Sequence, residues 1–260
     1  MLTKNILRYT ILLPAIFLLQ SCNSNNKKKI RWVEQPPTLK MLSHFKESTA
    51  FPVVIDSSFI ANVSKGDSLG TKEIKKLAQK WFNDSLTEGH QYDLQDFYTI
   101  DSVKAKHVFE KWEKKLDIGM TNYANAYAVE KVTLADSTVM LVWALHLVSY
   151  PACPSSDITN IYFTFYKYNN TFGQTFLLGS ILYGADAPMV GQTIISGTLV
   201  ADGSLQMEER GIVKDFDSLT ADLHHTHYEY LIKHDSIAFK NKMEYPIKHV
   251  KFTPLKDSVE

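Results

Sequence analysis

The sequence predicts an α+β fold, in which two N-terminal amphipathic helices pack on a mostly antiparallel, strongly curved β-sheet or barrel-like meander of about eight strands. Two observations favour it: residues 71–116 show helical periodicity, and residues 122–252 alternate between apolar and polar side chains, with turn residues between the alternating segments. The chain has 260 residues, 45% of them hydrophobic, so it can bury a core without disulfide bonds. We therefore expect residues 30–260 to form a single domain.

Two segments before residue 120 have the spacing of amphipathic helices. In residues 71–84 the apolar side chains recur at positions i, i+3, i+4, i+7 and i+8, with Thr71 as a candidate N-cap. They are Ile74, Leu77, Ala78, Trp81 and Phe82. A second apolar stripe runs through residues 101–116, after Asp101 or Ser102 as the cap. It consists of Ala105, Val108, Phe109, Trp112 and Leu116. Each helix is apolar on one face only, so that face is expected to pack on the sheet.

The strand-rich part has the pattern of consecutive β-hairpins. Four pairs are predicted: residues 123–134 with 138–149, 160–168 with 174–183, 192–201 with 204–213, and 225–233 with 236–240. The strongest turn signal is Asp202-Gly203, which is typical of a type I′ turn with positive φ at both residues. No helical segment separates these strands, so we expect neighbours to pair antiparallel. A barrel, an open curled sheet and a sandwich all fit the pattern, and residues 51–63 could add a further strand.

The charge balance and the motif content disfavour several function classes. The 28 basic and 28 acidic side chains cancel to a formal net charge of zero, which disfavours nucleic acid as a partner. The glycine-rich phosphate loops G-x-x-x-x-G-K-[ST] and G-x-G-x-x-G do not occur in the sequence. The common nucleotide-binding enzymes are therefore disfavoured as well.

The first residues have the layout of a secretory signal peptide. Lys4 and Arg8 precede an apolar run at residues 11–19, which is too short to cross the hydrocarbon core of a membrane. The run ends in Leu19-Gln20-Ser21-Cys22, which resembles the lipobox of bacterial lipoproteins. The resemblance implies that residues 1–21 are a signal peptide removed by signal peptidase II and that Cys22 carries the lipid. An ordinary signal peptide that happens to end at a cysteine is the alternative.

The same resemblance implies a location. Two or three acyl chains on Cys22 would hold the protein on a membrane, whereas one chain alone gives only marginal binding. Residues 22–29 are polar and are expected to form a flexible tether. Asn23 stands where lipoproteins kept in the inner membrane carry aspartate, and the tether lacks the acidic cluster of surface-exported lipoproteins. We therefore expect a lipid-anchored cell-envelope protein on the outer membrane, facing the periplasm.

Histidines and carboxylates cluster in residues 215–227. On a strand, His225 and His227 would lie on one side and could share a divalent metal such as zinc, with Asp222 as a third ligand. The spacing is not that of an EF-hand, because the sixth loop position is Thr220 rather than glycine. The alternative is a polar loop that enters an edge strand. A divalent metal is the only cofactor that the sequence suggests.

Aromatic side chains crowd one predicted strand, residues 162–168. Alternation places Tyr162, Tyr166 and Tyr168 on one face. There they could form a surface for a sugar, a lipid or a protein partner, or the strand could be covered on both sides. On the preceding strand, His146 could line a cavity or could be a hydrogen-bonded structural residue.

The second cysteine, Cys153, is expected to be inert. It lies between Pro151 and Pro154, which places it in a loop. Once Cys22 carries a lipid, Cys153 has no partner for an intramolecular disulfide. A nucleophilic cysteine needs a neighbouring cation or a helix N-terminus, and the surrounding sequence offers neither.

These features favour binding over catalysis. The predicted domain offers aromatic surfaces but no assembled acid, base and nucleophile. We therefore expect a non-enzymatic envelope protein that binds a protein partner or a small apolar or sugar ligand. The alternative is a periplasmic metal-dependent hydrolase that uses His225 and His227. A purely structural envelope component, whose sheet edge pairs with another protein, also fits the pattern.

Overall fold

The described part of the chain is mostly β-sheet. A computed structural model describes residues 37–48, 51–88, 90, 94, 97–98, 120–134, 138–150, 155–186 and 188–255. It has 64% strand and 15% helix, with one large mixed sheet of 12 strands and four short helices. The prediction of an α+β fold is therefore wrong, and the barrel-like meander is wrong as well, because the sheet does not close into a barrel. Cys22 with its tether, the second predicted helix and Cys153 lie outside the described residues.

The described helices are short and precede the long strands. They are α1 (Pro37–Leu42), α2 (Ser57–Ala61), α3 (Thr71–Leu77) and α4 (Ser85–Glu88). Three short strands are interleaved with them, namely β1 (Lys46–Ser48), β2 (Val53–Ile55) and β3 (Asp67–Leu69). Nine further strands follow: β4 (Met120–Thr133), β5 (Thr138–Tyr150), β6 (Ser155–Lys167), β7 (Thr171–Asp186), β8 (Met189–Leu199), β9 (Ser204–Asp215), β10 (Thr220–Lys233), β11 (Ser236–Glu244) and β12 (Lys248–Lys251). No described helix has the length and hydropathy that a transmembrane segment needs.

The first predicted helix ends earlier than its apolar periodicity indicates. The carboxylate of Glu73 accepts a hydrogen bond from the Gly70 N–H at its start, so Gly70 rather than Thr71 is the N-cap. Beyond α3 the chain pairs with β7: the Phe82 N–H donates to the Thr175 carbonyl at 2.9 Å, and the Thr175 N–H donates to the Lys80 carbonyl at 2.6 Å. These bonds to a distant strand replace the helical bonds that the same residues would otherwise make.

The four predicted hairpin pairings are confirmed. Strands β4 and β5, β6 and β7, β8 and β9, and β10 and β11 are each antiparallel neighbours. One turn differs from the expectation, because positive φ occurs at Gly203 (87°) but is not found at Asp202. The Gly203 N–H donates to the Val200 carbonyl at 3.0 Å, which closes a three-residue loop with glycine in the left-handed position.

The long strands β4 to β11 form a meander in chain order, and the short strands make the sheet mixed. The hydrogen-bonded path runs β1-β4-β5-β6-β7-β8-β9-β10-β11. Strand β1 pairs parallel to β4, while β3 pairs antiparallel to the same strand. Strand β12 extends the edge of β10, and β2, which lies inside the stretch 51–63, pairs with β8. The additional strands raise the total above the eight that the meander pattern predicts.

Strands β7 and β8 separate halfway along their length, and the aromatic core fills the region where they part. They pair only from Ser180↔Ile195 to Asp186↔Met189. Beyond that point β2 takes the free edge of β8. The ring of Phe176 on β7 lies 4.8 Å from that of Tyr230 on β10, 5.7 Å from Phe82 and 5.8 Å from Phe163, between centroids. The sheet therefore bends so that its β10 region packs against β7.

Candidate functional site

Two of the three tyrosines of the predicted aromatic surface are inside the protein. Tyr162 and Tyr166 are buried, whereas Tyr168 is 66% exposed. The Tyr162 ring packs between Trp81 and Trp143, and its hydroxyl donates to the His90 carbonyl at 3.0 Å. The three tyrosines therefore do not form one exposed surface, and the strand is covered as in the alternative reading.

His225 and His227 lie on one side of β10, as predicted, but they share a carboxylate. His225 Nε2 lies 2.5 Å from one oxygen of Glu208, and His227 Nδ1 lies 2.6 Å from the other. Both of these ring nitrogens are therefore engaged with the same carboxylate in the structure. Asp222 is an odd number of residues away, on the opposite side of the strand, and it pairs with His249 at 2.6 Å.

The geometry thus does not assemble the metal site that the sequence suggested. Within the part of the chain that the structure describes, no group of three or more histidine, cysteine, aspartate or glutamate side chains could hold a metal ion. The His225–Glu208–His227 cluster is instead a hydrogen-bonded group of side chains, with the Tyr245 ring stacked on His225 at 4.3 Å between centroids.

This cluster responds to pH. Burial, the largest single effect, lowers the pKa of His227, but the hydrogen bonds and charges of Glu208 and Glu229 together raise that pKa above its ordinary value. A histidine whose pKa is higher in the folded than in the unfolded chain stabilises the fold below the unfolded pKa of about 6.5. That contribution is lost as the pH rises through the folded pKa.

Replacing Glu208 by glutamine is therefore expected to lower the melting temperature more at pH 6 than at pH 9. At pH 6 the variant loses a charge-assisted hydrogen bond at a partly exposed cluster, which lowers the free energy of unfolding by about 1 kcal/mol. For a chain of this size, that loss lowers the melting temperature by roughly 2–4 °C. Thermal unfolding followed by circular dichroism measures this shift in melting temperature.

Glu209→Gln is the matched control, because Glu209 accepts from the Tyr228 hydroxyl at 2.7 Å. Burial raises the pKa of Tyr228, so the change for this control should be the same at both pH values. Equal losses for Glu208→Gln at pH 6 and pH 9 would contradict the prediction.

His146 contacts a carboxylate on the neighbouring strand. Its Nε2 lies 3.0 Å from Oδ1 of Asp157, and both side chains are partly exposed. Asp157 in turn lines a cleft of about 340 Å³. Of the two roles considered for His146, the observed contact agrees with the hydrogen-bonded one.

The cleft next to Asp157, here called the Gln192 cleft, is built on three neighbouring strands. Asp157 on β6 lies directly opposite Tyr183 on β7, and Tyr183 lies directly opposite Gln192 on β8. Because opposite residues of antiparallel strands project from the same face, a carboxylate, a phenol and a carboxamide form one row. The remaining lining residues are small or apolar, namely Ser156, Gly184, Ala185, Val190, Gly191, Phe252 and Pro254.

The carboxamide of Gln192 has a hydrogen-bond donor without a partner. The side chain is 4% exposed, and its Oε1 accepts from the Leu255 N–H at 2.8 Å. That bond fixes the orientation of the amide, because only the oxygen can accept from an N–H. The Nε2 atom has no hydrogen-bond partner among the described residues. An unpaired buried donor of this kind costs about 1–3 kcal/mol.

Residues 252–255 form one wall of the cleft and are held from both ends. The Phe252 N–H donates to the Leu219 carbonyl at 3.4 Å, and Lys214 Nζ lies 5.0 Å from the centre of the Phe252 ring. At the other end Leu255 binds Gln192. The wall is therefore attached to β8, to β9 and to the residue before β10.

A second cleft, of about 450 Å³, is lined mainly by β9, β10 and β11, and several of its polar groups contact one another. Glu209 accepts from the Tyr228 hydroxyl at 2.7 Å, and Lys242 binds Glu244 at 2.6 Å. Lys242 also lies 5.6 Å from the centre of the Tyr228 ring. Glu209, Lys242 and Glu244 thus each have a partner, whereas Gln192 Nε2 has none among the described residues, so the Gln192 cleft is the better candidate for a ligand site.

No local sequence pattern indicates the row of Asp157, Tyr183 and Gln192. The three residues come from different strands, and the pairing of β7 with β8 is not among the hairpins predicted from turn residues. Their alignment depends on the register of two neighbouring pairs, and a shift of one residue would place a side chain on the other face.

Comparisons of this chain with protein-family models, with curated proteins and with solved structures found no match. Its own residues are therefore the guide to what it does.

Proposed function

We propose that this protein is a lipid-anchored cell-envelope protein that binds a small ligand in the Gln192 cleft without converting it. The observation that carries the proposal is the buried Nε2 of Gln192, a donor without a partner among the described residues, on a side chain that lines a cleft of about 340 Å³. A ligand that brings an acceptor to this atom removes the energetic penalty of the unpaired donor.

The groups around this donor suit holding a ligand. Asp157 accepts hydrogen bonds and is itself held by His146 at 3.0 Å. Tyr183 is 49% exposed, so its ring is open to contact, and Val190, Phe252 and Pro254 add apolar surface. A mostly apolar cleft with a few convergent polar groups is typical of small-molecule sites.

The anchor is the second part of the proposal, and the residues that end at Cys22 support it. Positive residues, a short apolar run and a cysteine follow in the order of a lipoprotein signal. With two or three acyl chains on Cys22, attachment is lasting. The polar residues 22–29 then tether the domain to the outer membrane, on its periplasmic side.

Native mass spectrometry of the full-length chain, purified from membranes and incubated with the small-molecule fraction of the same envelope, tests both parts. We expect a covalent mass increase from acyl chains, which Cys22→Ser abolishes. We also expect a non-covalent ligand, which Gln192→Leu removes.

Gln206→Leu is the matched control for the ligand, because it makes the same change at an exposed glutamine of β9 and should leave the ligand bound. A ligand that stays on Gln192→Leu would show that this cleft is not the site. An unmodified Cys22 in membrane-bound protein would refute the anchor.

A further inference from the structure

We infer that the ligand of the Gln192 cleft is a neutral sugar ring. The inference rests on the proposed function, since it names the ligand class of that same cleft. It follows from the order of the three side chains across the sheet, carboxylate, aromatic ring and carboxamide donor, at Asp157, Tyr183 and Gln192.

The spacing of the row sets the size of the ligand. Adjacent strands lie ~4.8 Å apart, so the backbones of β6 and β8 are ~10 Å apart, with β7 between them. A ligand that reaches both Asp157 and Gln192 must therefore lie across Tyr183. A single ring with polar groups on opposite edges has this shape.

The polarity of the two ends sets the chemistry of the ligand. Asp157 can only accept hydrogen bonds when ionised, and Nε2 of Gln192, which has no partner in the described part of the chain, can only donate. A hydroxyl group both donates and accepts, so a ring with several hydroxyls satisfies both ends with one kind of group. An anionic ligand would be repelled by Asp157, and a simple cation has no acceptor for the Gln192 donor. Of these ligand classes, a neutral molecule with several hydroxyl groups suits both ends of the row.

The middle of the row favours a ring with an apolar face. The half-exposed Tyr183 ring lies between the two polar residues, and Val190, Phe252 and Pro254 line the same cleft. The C–H face of a sugar can pack on an aromatic ring while its hydroxyls point outward to the polar ends. A flexible chain of hydroxyls would make the same hydrogen bonds but would lose more conformational entropy.

Saturation-transfer NMR of the full chain with a panel of neutral hexoses, N-acetylhexosamines and their methyl glycosides tests the inference. We expect at least one member to bind. Asp157→Ala is expected to weaken binding about 10-fold or more, and Gln192→Leu about 5- to 10-fold. Tyr183→Ala should weaken it about 10-fold, whereas Tyr183→Phe, which keeps the ring, should stay within about 2-fold. Tyr168→Ala changes an exposed tyrosine away from the cleft and should have no effect.

The melting temperature of each variant shows whether it is folded before its affinity is interpreted. Binding of a methyl glycoside indicates that the ligand is the end residue of a glycan. Binding of the free hexose alone indicates a soluble sugar. Either result supports a sugar as the ligand. No saturation transfer from any member of the panel, or equal affinity for wild type, Asp157→Ala and Gln192→Leu, would overturn it. If mass spectrometry finds a ligand that Gln192→Leu loses and that is not a sugar, the sugar inference fails while the proposed function stands.

Discussion

Phe176→Ala is expected to lower the free energy of unfolding by about 3–5 kcal/mol, the usual loss for a buried phenylalanine. Phe176 is fully buried where β7 separates from β8, and its ring contacts those of Tyr230, Phe82 and Phe163. These contacts connect β7 to three other parts of the fold, namely β10, the segment after α3, and β6. The cavity left by alanine would lie at their junction, where the backbone of several elements would have to move to fill it.

Urea denaturation followed by tryptophan fluorescence measures this loss. Phe239→Ala is the matched control, because its ring also contacts Tyr230, at 5.7 Å, but it is 49% exposed on β11. We expect it to cost about 1 kcal/mol or less, since little apolar area leaves the core. Similar losses for the two variants would mean that the aromatic core is not centred on Phe176.

Gly203→Ala is expected to cost about 3 kcal/mol in the β8–β9 turn. Gly203 has φ of +87°, a region that costs a residue with a side chain about 1–2 kcal/mol. A Cβ atom there would also lie 2.2 Å from the backbone carbonyl oxygen of Ile232. The Ile232 N–H donates to the Gly203 carbonyl at 2.8 Å, so relief of the clash would break this bond.

The same denaturation experiment with Gly211→Ala gives the comparison. Gly211 lies within β9, and the nearest atom to its Cβ would be Thr193 Oγ1 at 3.5 Å, an ordinary contact. Its substitution is expected to change the free energy of unfolding by less than about 1 kcal/mol. If Gly203→Ala were equally mild, the turn would adopt another backbone conformation than the one described.

The hairpins could be predicted from sequence because their signals are local. Alternation and turn residues such as Asp202-Gly203 are close together in the chain, and each strand pairs with its neighbour. The end of the first helix could not be predicted in this way. Trp81 and Phe82 continue the helical spacing, but the backbone around them bonds to Thr175, a partner that no local pattern indicates.

The candidate sites also combine features that local sequence patterns predict with features that depend on strand pairing and burial. The shared face of His225 and His227 follows from strand alternation, and the same rule places Asp222 on the opposite face, so the sequence already argued against that ligand set. Predicting the contact of Glu208 with these histidines would have required the β9–β10 register, which places Glu208 opposite His227. Gln192 could not be identified, because the sequence does not show that this glutamine is buried, nor that its Nε2 lacks a partner among the described residues.

The insertion of β2 beside β8 has a consequence for the order of folding. Val53–Ile55 and Gly197–Leu199 are separated by about 140 residues along the chain. At synthesis rates of about 5–20 residues per second, β2 exists for about 7–28 seconds before its partner has been made. During that time the backbone of β2 lacks its partner on β8. Closure of this pair is therefore a late, long-range event in folding.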